Sequence, residues 1–522
     1  MRLSVAMLLC ALLIPARASA QLVKLEISPA TTYLTQPLDQ NGVPDYLAAI
    51  ESRLSAGVTA DNNFWTLVWP ALGNAEHSSP EYLRAVERKL NVQIPEQGLY
   101  RELWVRENPE QNMALHKQLD AALQQPWKRA EQPAISNWLD QNSEFLSVVE
   151  RACRRSHTYS PLVSSGEGSS LVYVLLAHVQ RSRDICRMLI CRSMLRMGEG
   201  DTEAAWQDLL TSYRLAGQVE QGYSLIERLV GIAIRSMTAS AVATWMNHAG
   251  LSADELAAHR EELVPLLDIP SFAGCVDEGE RFMVLQLAIA LSDGTFPSQD
   301  FESTFFLQAV LSTGNETRTE SPQESELIKQ LGRSRGPLMR YLLTCSDINA
   351  TLRTLNENYD LLADAIRQPT HPQRVAALSA LSVTIDDDAR IANSGVRLLE
   401  EFVFATDEDL KTLPGRVLLG TMAPALTNIA EAYTRGEARS ATLIAAFRIA
   451  EEIQRTGKVP MNFNEISAEL PRDPYTEQPL HLRVTPGEVL IYSYGRNSRN
   501  DAGKSFGEGE GTDDVGVTLL VP

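Results

Sequence analysis

The chain has 522 residues, with 66 acidic side chains against 47 basic ones and a formal net charge of −19. That balance argues against nucleic acid or an anionic membrane surface as a general partner, because both repel an acidic protein. The length gives room for two to four domains with ample core.

At the start of the chain, Arg2 is the only charge before an apolar run over residues 3–14. Pro15 breaks the run, and Ala18-Ser19-Ala20 follows. This order of parts predicts a secretory signal peptide over residues 1–20, cleaved after Ala20. The run is too short for a bilayer span, which needs ~20 residues. Cys10 lies in the wrong context for a lipoprotein cysteine. Cleavage removes Arg2 and Arg17 and no acid, taking the charge from −19 to about −21. The predicted mature chain is an exported protein, periplasmic or secreted, with no transmembrane anchor. Five cysteines remain in it: Cys153, Cys186, Cys191, Cys275 and Cys345. The odd number leaves at least one thiol unpaired or bonded between chains. Cys186 and Cys191, five apart on a helix, lie beyond disulfide reach.

Residues 21–130 read as a mixed, partly helical segment. Turn residues Pro37, Asp39, Asn41, Gly42 and Pro44 precede helical spacing at Leu47, Ile50 and Leu54. Asp61 is the expected cap of a second helix, which Pro70 kinks or ends and Gly73 closes. Trp65 and Trp69 share a face of it, as core or as a stacking platform, and core is the commoner use.

Residues 131–435 read as a body of helical hairpins. Apolar residues recur through Val172, Val179, Ile185, Leu189 and Leu195, and residues 198–201 form a tight break. A helix from about Tyr223 to His248 ends before Gly250, and Ser252 with Glu255 forms a capping box that opens the next. The turn at residues 195–206 resembles that of tetratricopeptide-type repeats, but no 34-residue period sustains it. Residues 314–337 are polar and read as an exposed linker. Asp386, Asp387 and Asp388 read as the solvated N-terminus of a helix over residues 391–404, where the helix dipole favours acids.

No catalytic signature is present: no G-x-S-x-G elbow, no H-E-x-x-H zinc helix and no phosphate loop. Cys153 and His157 stand four apart, and Arg151, Arg154 and Arg155 beside them would favour a thiolate. The blander reading is a packed cysteine beside a surface histidine.

From about residue 436 the pattern changes. A helix over residues 441–453 leads into Gly457-x-x-Pro460. Asp473-Pro474 and Pro479-Leu480 follow, then Tyr492-Ser493-x-Gly495, a Gly/Asn/Asp-rich loop over 495–514 and a closing Asp513-Asp514-Val515 strand. Strands are expected over residues 481–484, 489–494 and 515–521. This arrangement resembles the head of the type II secretion major pseudopilin. The resemblance covers residues 436–522 and implies a small α+β domain. It also implies a calcium ion in the final loop, held by Asn497, Asn500, Asp501, Asp513 and Asp514. The leading helix carries Arg448, Glu451, Glu452 and Arg455, so it cannot serve as the apolar fibre-forming helix of that family; only the head carries over.

The whole chain also resembles a group of large exported proteins of planctomycete-type bacteria. The residues that carry this are Tyr33-Leu34-Thr35-Gln36-Pro37, Asn41-Gly42, Asp45-Tyr46-Leu47, Trp69-Pro70-Ala71-Leu72-Gly73 and Glu280-Arg281-Phe282-Met283. That resemblance brings no activity with it. The sequence thus predicts a mainly α protein: a helical-hairpin body with a small pseudopilin-like α+β C-terminal domain. The leading functional expectation is a non-enzymatic binding or scaffold protein of the cell envelope, with a protein or envelope component as partner. The alternative is an envelope hydrolase or other enzyme whose site is assembled from distant residues.

Overall fold

Local capping decides where the helices begin. The computed structural model describes residues 24–521, apart from 75–77, 105–108, 165–169, 175, 296–341, 344–346, 393–396, 399–400, 402–405, 467–468 and 506. The signal-peptide reading of residues 1–20, the linker reading of 314–337, and Cys345 therefore lie outside the described residues. Helix α1 (Tyr46–Leu54) starts at Asp45, whose carboxylate accepts from the Ala48 N–H at 2.9 Å. The next cap is Asn63 rather than Asp61: its side chain accepts from the Trp65 N–H, and α2 is Phe64–Leu72. Pro70 stays inside α2, and Gly73, at φ +65°, ends it. Four helices follow: α3 (Pro80–Leu90), α4 (Pro109–Gln124), α5 (Pro133–Gln141) and α6 (Ser143–Ala152).

The body is the expected stack of hairpins. Helices α7 (Ala177–Gly198), α8 (Thr202–Val219) and α9 (Leu225–His248) pack in sequence, and α10 (Ala253–Leu263) packs on the later helix over Asp407–Thr456. Asp201 caps α8, and capping boxes built by Ser224 with Glu227 and by Ser252 with Glu255 open α9 and α10. Gly250 takes φ +63° just past α9. Trp206 of α8 stacks on Trp245 of α9 with ring centroids 4.5 Å apart, both fully enclosed. Each such side chain contributes on the order of 2–3 kcal/mol by leaving water. Trp65 and Trp69 are also buried, so the core reading of that pair holds. Among the described residues α9 alone is long and apolar enough to cross a membrane by length and composition, and most of its apolar stretch is covered by the rest of the protein.

A single π-helical turn, Cys275–Glu280, leads into α11 (Arg281–Asp293); α12 (Ile348–Ile366) and α13 (His371–Ala392) follow. Asp386, Asp387 and Asp388 therefore lie in the last turns of a helix and not at an N-terminus. Asp387 is exposed, whereas Asp388 is 1% exposed and accepts from Arg416 Nε at 2.8 Å. A buried ion pair formed across 28 residues outweighs the helix-end reading.

The last helix, α14 (Asp407–Thr456), is 50 residues long and runs through the 435/436 seam without interruption. Its first half joins the core shared by α1, α11 and α12. Its second half, with Leu443, Phe447 and Ile449 fully buried, joins the core of α2–α10. Three antiparallel strands close the chain: β1 (His481–Thr485), β2 (Glu488–Ser493) and β3 (Val515–Leu520), in the order β1-β2-β3. Val489, Ile491, Val517 and Leu519 face α14 and belong to the same core as the hairpin body. The free edge of β3 is met by one side chain of α9. The Asn247 amide donates to Thr518 O and accepts from Leu520 N–H, both at 3.0 Å.

Candidate metal centre

The turn between β2 and β3 brings carboxylates from both of its ends together. One oxygen from each of Asp501, Asp513 and Asp514 lies within 4.8 Å of the other two. The loop backbone is shaped for this. A side chain at Gly495 would strike Asp513 O at 2.1 Å, so only glycine lets that strand end approach. Asp514 is 2% exposed, and its Oδ2 accepts from the N–H groups of Asp501 (3.1 Å) and Gly503 (2.8 Å). Asp513 Oδ2 accepts from Asn497 N–H at 3.0 Å, and Asp501 Oδ2 accepts from Asp513 N–H at 3.0 Å. The remaining oxygens of Asp513 and Asp514, both Oδ1, are buried and have no hydrogen-bond partner. An unsatisfied buried carboxylate oxygen is costly, and a cation would satisfy it.

The electrostatics agree. Burial pushes the Asp514 carboxyl up to about 6, against the pull of the Gly503 N–H, and the neighbouring Asp501 charge adds to the rise. Burial also raises Asp513, again with Asp501 repelling. Three oxygen donors with no nitrogen or sulfur ligand suit a hard divalent ion of the calcium or magnesium type.

The five residues named from the sequence separate into two roles. The three aspartates converge. Asn500 Oδ1 accepts from the Tyr492 hydroxyl and the Ala502 N–H, both at 2.9 Å, and so braces the loop against β2. Asn497 donates from Nδ2 to Asp501 Oδ2 at 2.8 Å and to Gly511 O at 2.9 Å, fixing one carboxylate and the far side of the loop. Sequence reasoning missed Asp473. Fully buried, it accepts from Tyr475 N–H, Ser493 Oγ–H and Tyr494 N–H at 2.8–2.9 Å, tying the Asp-Pro turn to the end of β2. The Asp-Pro dipeptide was the visible signal.

The Cys153 site follows the packed-cysteine reading and not the thiolate alternative. Cys153 is buried, and burial drives its thiol well above the usual range despite Arg154 and Arg214 nearby. Burial raises Cys186 to about 11 and also lifts Cys191 and Cys275, and all four are free thiols. Within the body, burial pushes Glu280 up to about 7, at the end of the π-helical turn, where it accepts a hydrogen bond from the Leu225 backbone. No local motif announced it.

No protein family, curated protein or solved structure matches the chain.

Proposed function

We propose that the chain is an exported binding or scaffold protein of the cell envelope whose C-terminal loop closes around a calcium ion. The observation that carries this reading is the convergence of Asp501, Asp513 and Asp514 with two buried, unpartnered carboxylate oxygens. Asp513 and Asp514 lead directly into β3, and Asp501 lies across the loop from them. An ion there ties the last strand to the rest of the head and acts as a clamp. Calcium takes six to eight oxygens at ~2.3–2.6 Å, so the three carboxylates would share it with backbone carbonyls or water. Magnesium demands a tighter octahedral shell and suits this loop less. The test is calorimetric titration of the full chain with calcium, then magnesium. Calcium binding to the wild type that Asp501→Asn removes supports the reading; no calcium heat in the wild type overturns it.

The envelope role itself is checked by N-terminal sequencing of the protein from its native cell. A mature start at Gln21 in an envelope or secreted fraction supports it, and an intact Met1 in the cytoplasm refutes it. The enzyme alternative has one specific observation in its favour, a buried serine–histidine–glutamate line in the helical body: Ser160 Oγ lies 3.5 Å from His178 Nδ1, and His178 Nε2 faces Glu227 Oε1 at 3.7 Å.

A further inference from the structure

Ser160, His178 and Glu227 share the lining of one small cavity with Thr158 and Gln218. Thr158 and Ser160 lie in the segment between α6 and α7, His178 in the first turn of α7, Gln218 in the last turn of α8 and Glu227 in the first turn of α9. Four of the five residues are buried, Gln218 at 6% exposure and His178 at 3% among them. The space open to the centre of a water molecule is about 20 Å³. A single water needs ~10–15 Å³ of such space, so one water fits and a larger ligand does not.

The polar groups around this space are nearly all engaged. Trp69 Nε1 donates to Ser160 Oγ at 3.2 Å, which leaves the serine hydroxyl to donate onward to His178 Nδ1 at 3.5 Å. With Nδ1 accepting, the neutral ring carries its proton on Nε2, which faces Glu227 Oε1 at 3.7 Å, too far for a direct hydrogen bond. Glu227 cannot turn to close that gap, because its Oε2 accepts from the Ser224 N–H (3.0 Å) and hydroxyl (2.8 Å) in the capping box of α9. The imidazole cannot tilt toward it either, being held edge-on to Trp65 with ring centroids 4.6 Å apart. Gln218 Nε2 donates to Arg155 O at 2.7 Å, and only the nitrogen end of an amide can do that. Its Oε1 is therefore the end left over, and it is buried without a hydrogen-bond partner, as is Thr158 Oγ1.

Two unpaired polar atoms in the lining of one cavity of this size define what belongs in it. Each costs free energy if it stays dry. The threonine hydroxyl can donate, the amide oxygen can only accept, and a molecule between them must accept from one and donate to the other. We infer that the cavity is the seat of one resident water, which accepts from Thr158 Oγ–H and donates to Gln218 Oε1. Its second hydrogen and second lone pair are then free for Glu227 Oε1 and His178 Nε2–H, which border the same space. The serine–histidine–glutamate line becomes part of a hydrated joint that fastens the segment before α7 to α7, α8 and α9. Its role is packing, because no room remains beside Ser160 for a substrate.

This inference does not rest on the C-terminal ion. Its test is a crystal structure of the full-length protein together with a substitution whose two outcomes have opposite signs. The wild type should show one ordered water within hydrogen-bonding distance of both Thr158 Oγ1 and Gln218 Oε1. Thr158→Val keeps the shape of the side chain and removes the hydroxyl. If the water is resident, the change breaks its network, lowers the urea midpoint and shifts the folding equilibrium about 3–10-fold toward the unfolded chain. If the cavity is dry, the same change removes an unsatisfied buried hydroxyl and raises the midpoint. Thr158→Ser retains the hydroxyl and should retain the water. The wild-type structure decides alone even if a variant fails to fold. An empty cavity in that structure overturns the inference, as does a Thr158→Val variant whose midpoint is unchanged or raised.

Discussion

Replacing Asp514 with asparagine should stabilise the calcium-free protein while removing its response to calcium. The folded-state carboxyl stands at about 6, against 3.8 for the unconstrained group. Because the folded value is the higher, the native loop holds this proton more tightly than the unfolded chain. The group costs nothing below pH ~4, where both states are protonated; stability then falls as pH rises from about 4 to 6 and stays low above that. Two pKa units correspond to roughly 3 kcal/mol as an upper bound. Asp514 is 2% exposed, but it lies on a thin loop beside the half-exposed Asp501 and Asp513, so water screens the site more than its own area suggests. Halving the figure for that screening leaves ~1–2 kcal/mol. Asparagine keeps an oxygen for the Asp501 and Gly503 N–H groups and removes the charge. Hydrogen exchange of the amides in residues 495–514, followed by mass spectrometry, reads this locally. At pH 7 in chelator, Asp514→Asn should protect the loop about tenfold more than wild type, and the gap should close by pH 4. Calcium should protect the wild type and leave the variant unchanged. Equal protection of both proteins in chelator across this pH range would refute the reasoning.

Other perturbations test the body. Asp208 is 1% exposed between Arg192 and Arg196, and burial still pushes its carboxyl up to about 6. Asp208→Ala leaves Arg192 with Glu150 and Arg196 with the Ala204 carbonyl as remaining partners, and should lower stability by ~1–3 kcal/mol, seen as a reduced urea midpoint at constant slope. A Cβ at Gly198 would lie 2.0 Å from Trp127 O, so Gly198→Ala should cost ~1–3 kcal/mol by pushing α7 off that backbone, measured the same way. Cys153, Cys186, Cys191 and Cys275 should resist a disulfide reagent in the native protein and react only after urea is added, with each site followed by peptide mapping.

Helix ends were legible in the sequence where a cap is a local event. The Ser252–Glu255 box and the turn at Gly250 depend on neighbours within a few residues, and both stand as read. The strands after residue 481 were legible for the same reason, since alternation and turn residues are local. Asp388 was misread because its partner, Arg416, belongs to another helix. The length of α14 does not follow from propensity, because Pro414, Gly415 and Gly420 inside it are all poor helix formers. Gly420 instead lets the helix pass the Asp388 backbone, where a Cβ would sit 2.3 Å from a carbonyl carbon. Tertiary packing there overrides propensity. At the C-terminal loop, the donor types were visible in the sequence, but which oxygens stay unpaired depends on backbone N–H directions that composition does not encode. The serine–histidine–glutamate line had no signature at all, because its members are brought together only by the packing of α7 and α9 on the segment before them.

Helix α9 has a consequence for how the chain is made. Its apolar faces are covered by α7 and α8, which precede it, and by α14 and β3, which come much later. Asn247 on α9 and Thr518 on β3 bond across 271 residues. At ~5–20 residues per second, synthesis of that interval takes roughly a quarter of a minute to a minute. Throughout that time a 24-residue helix with the composition of a membrane span stands without its final cover. A newly made chain stopped before α14 should therefore bind chaperones that hold apolar segments, and completing it through β3 should release them.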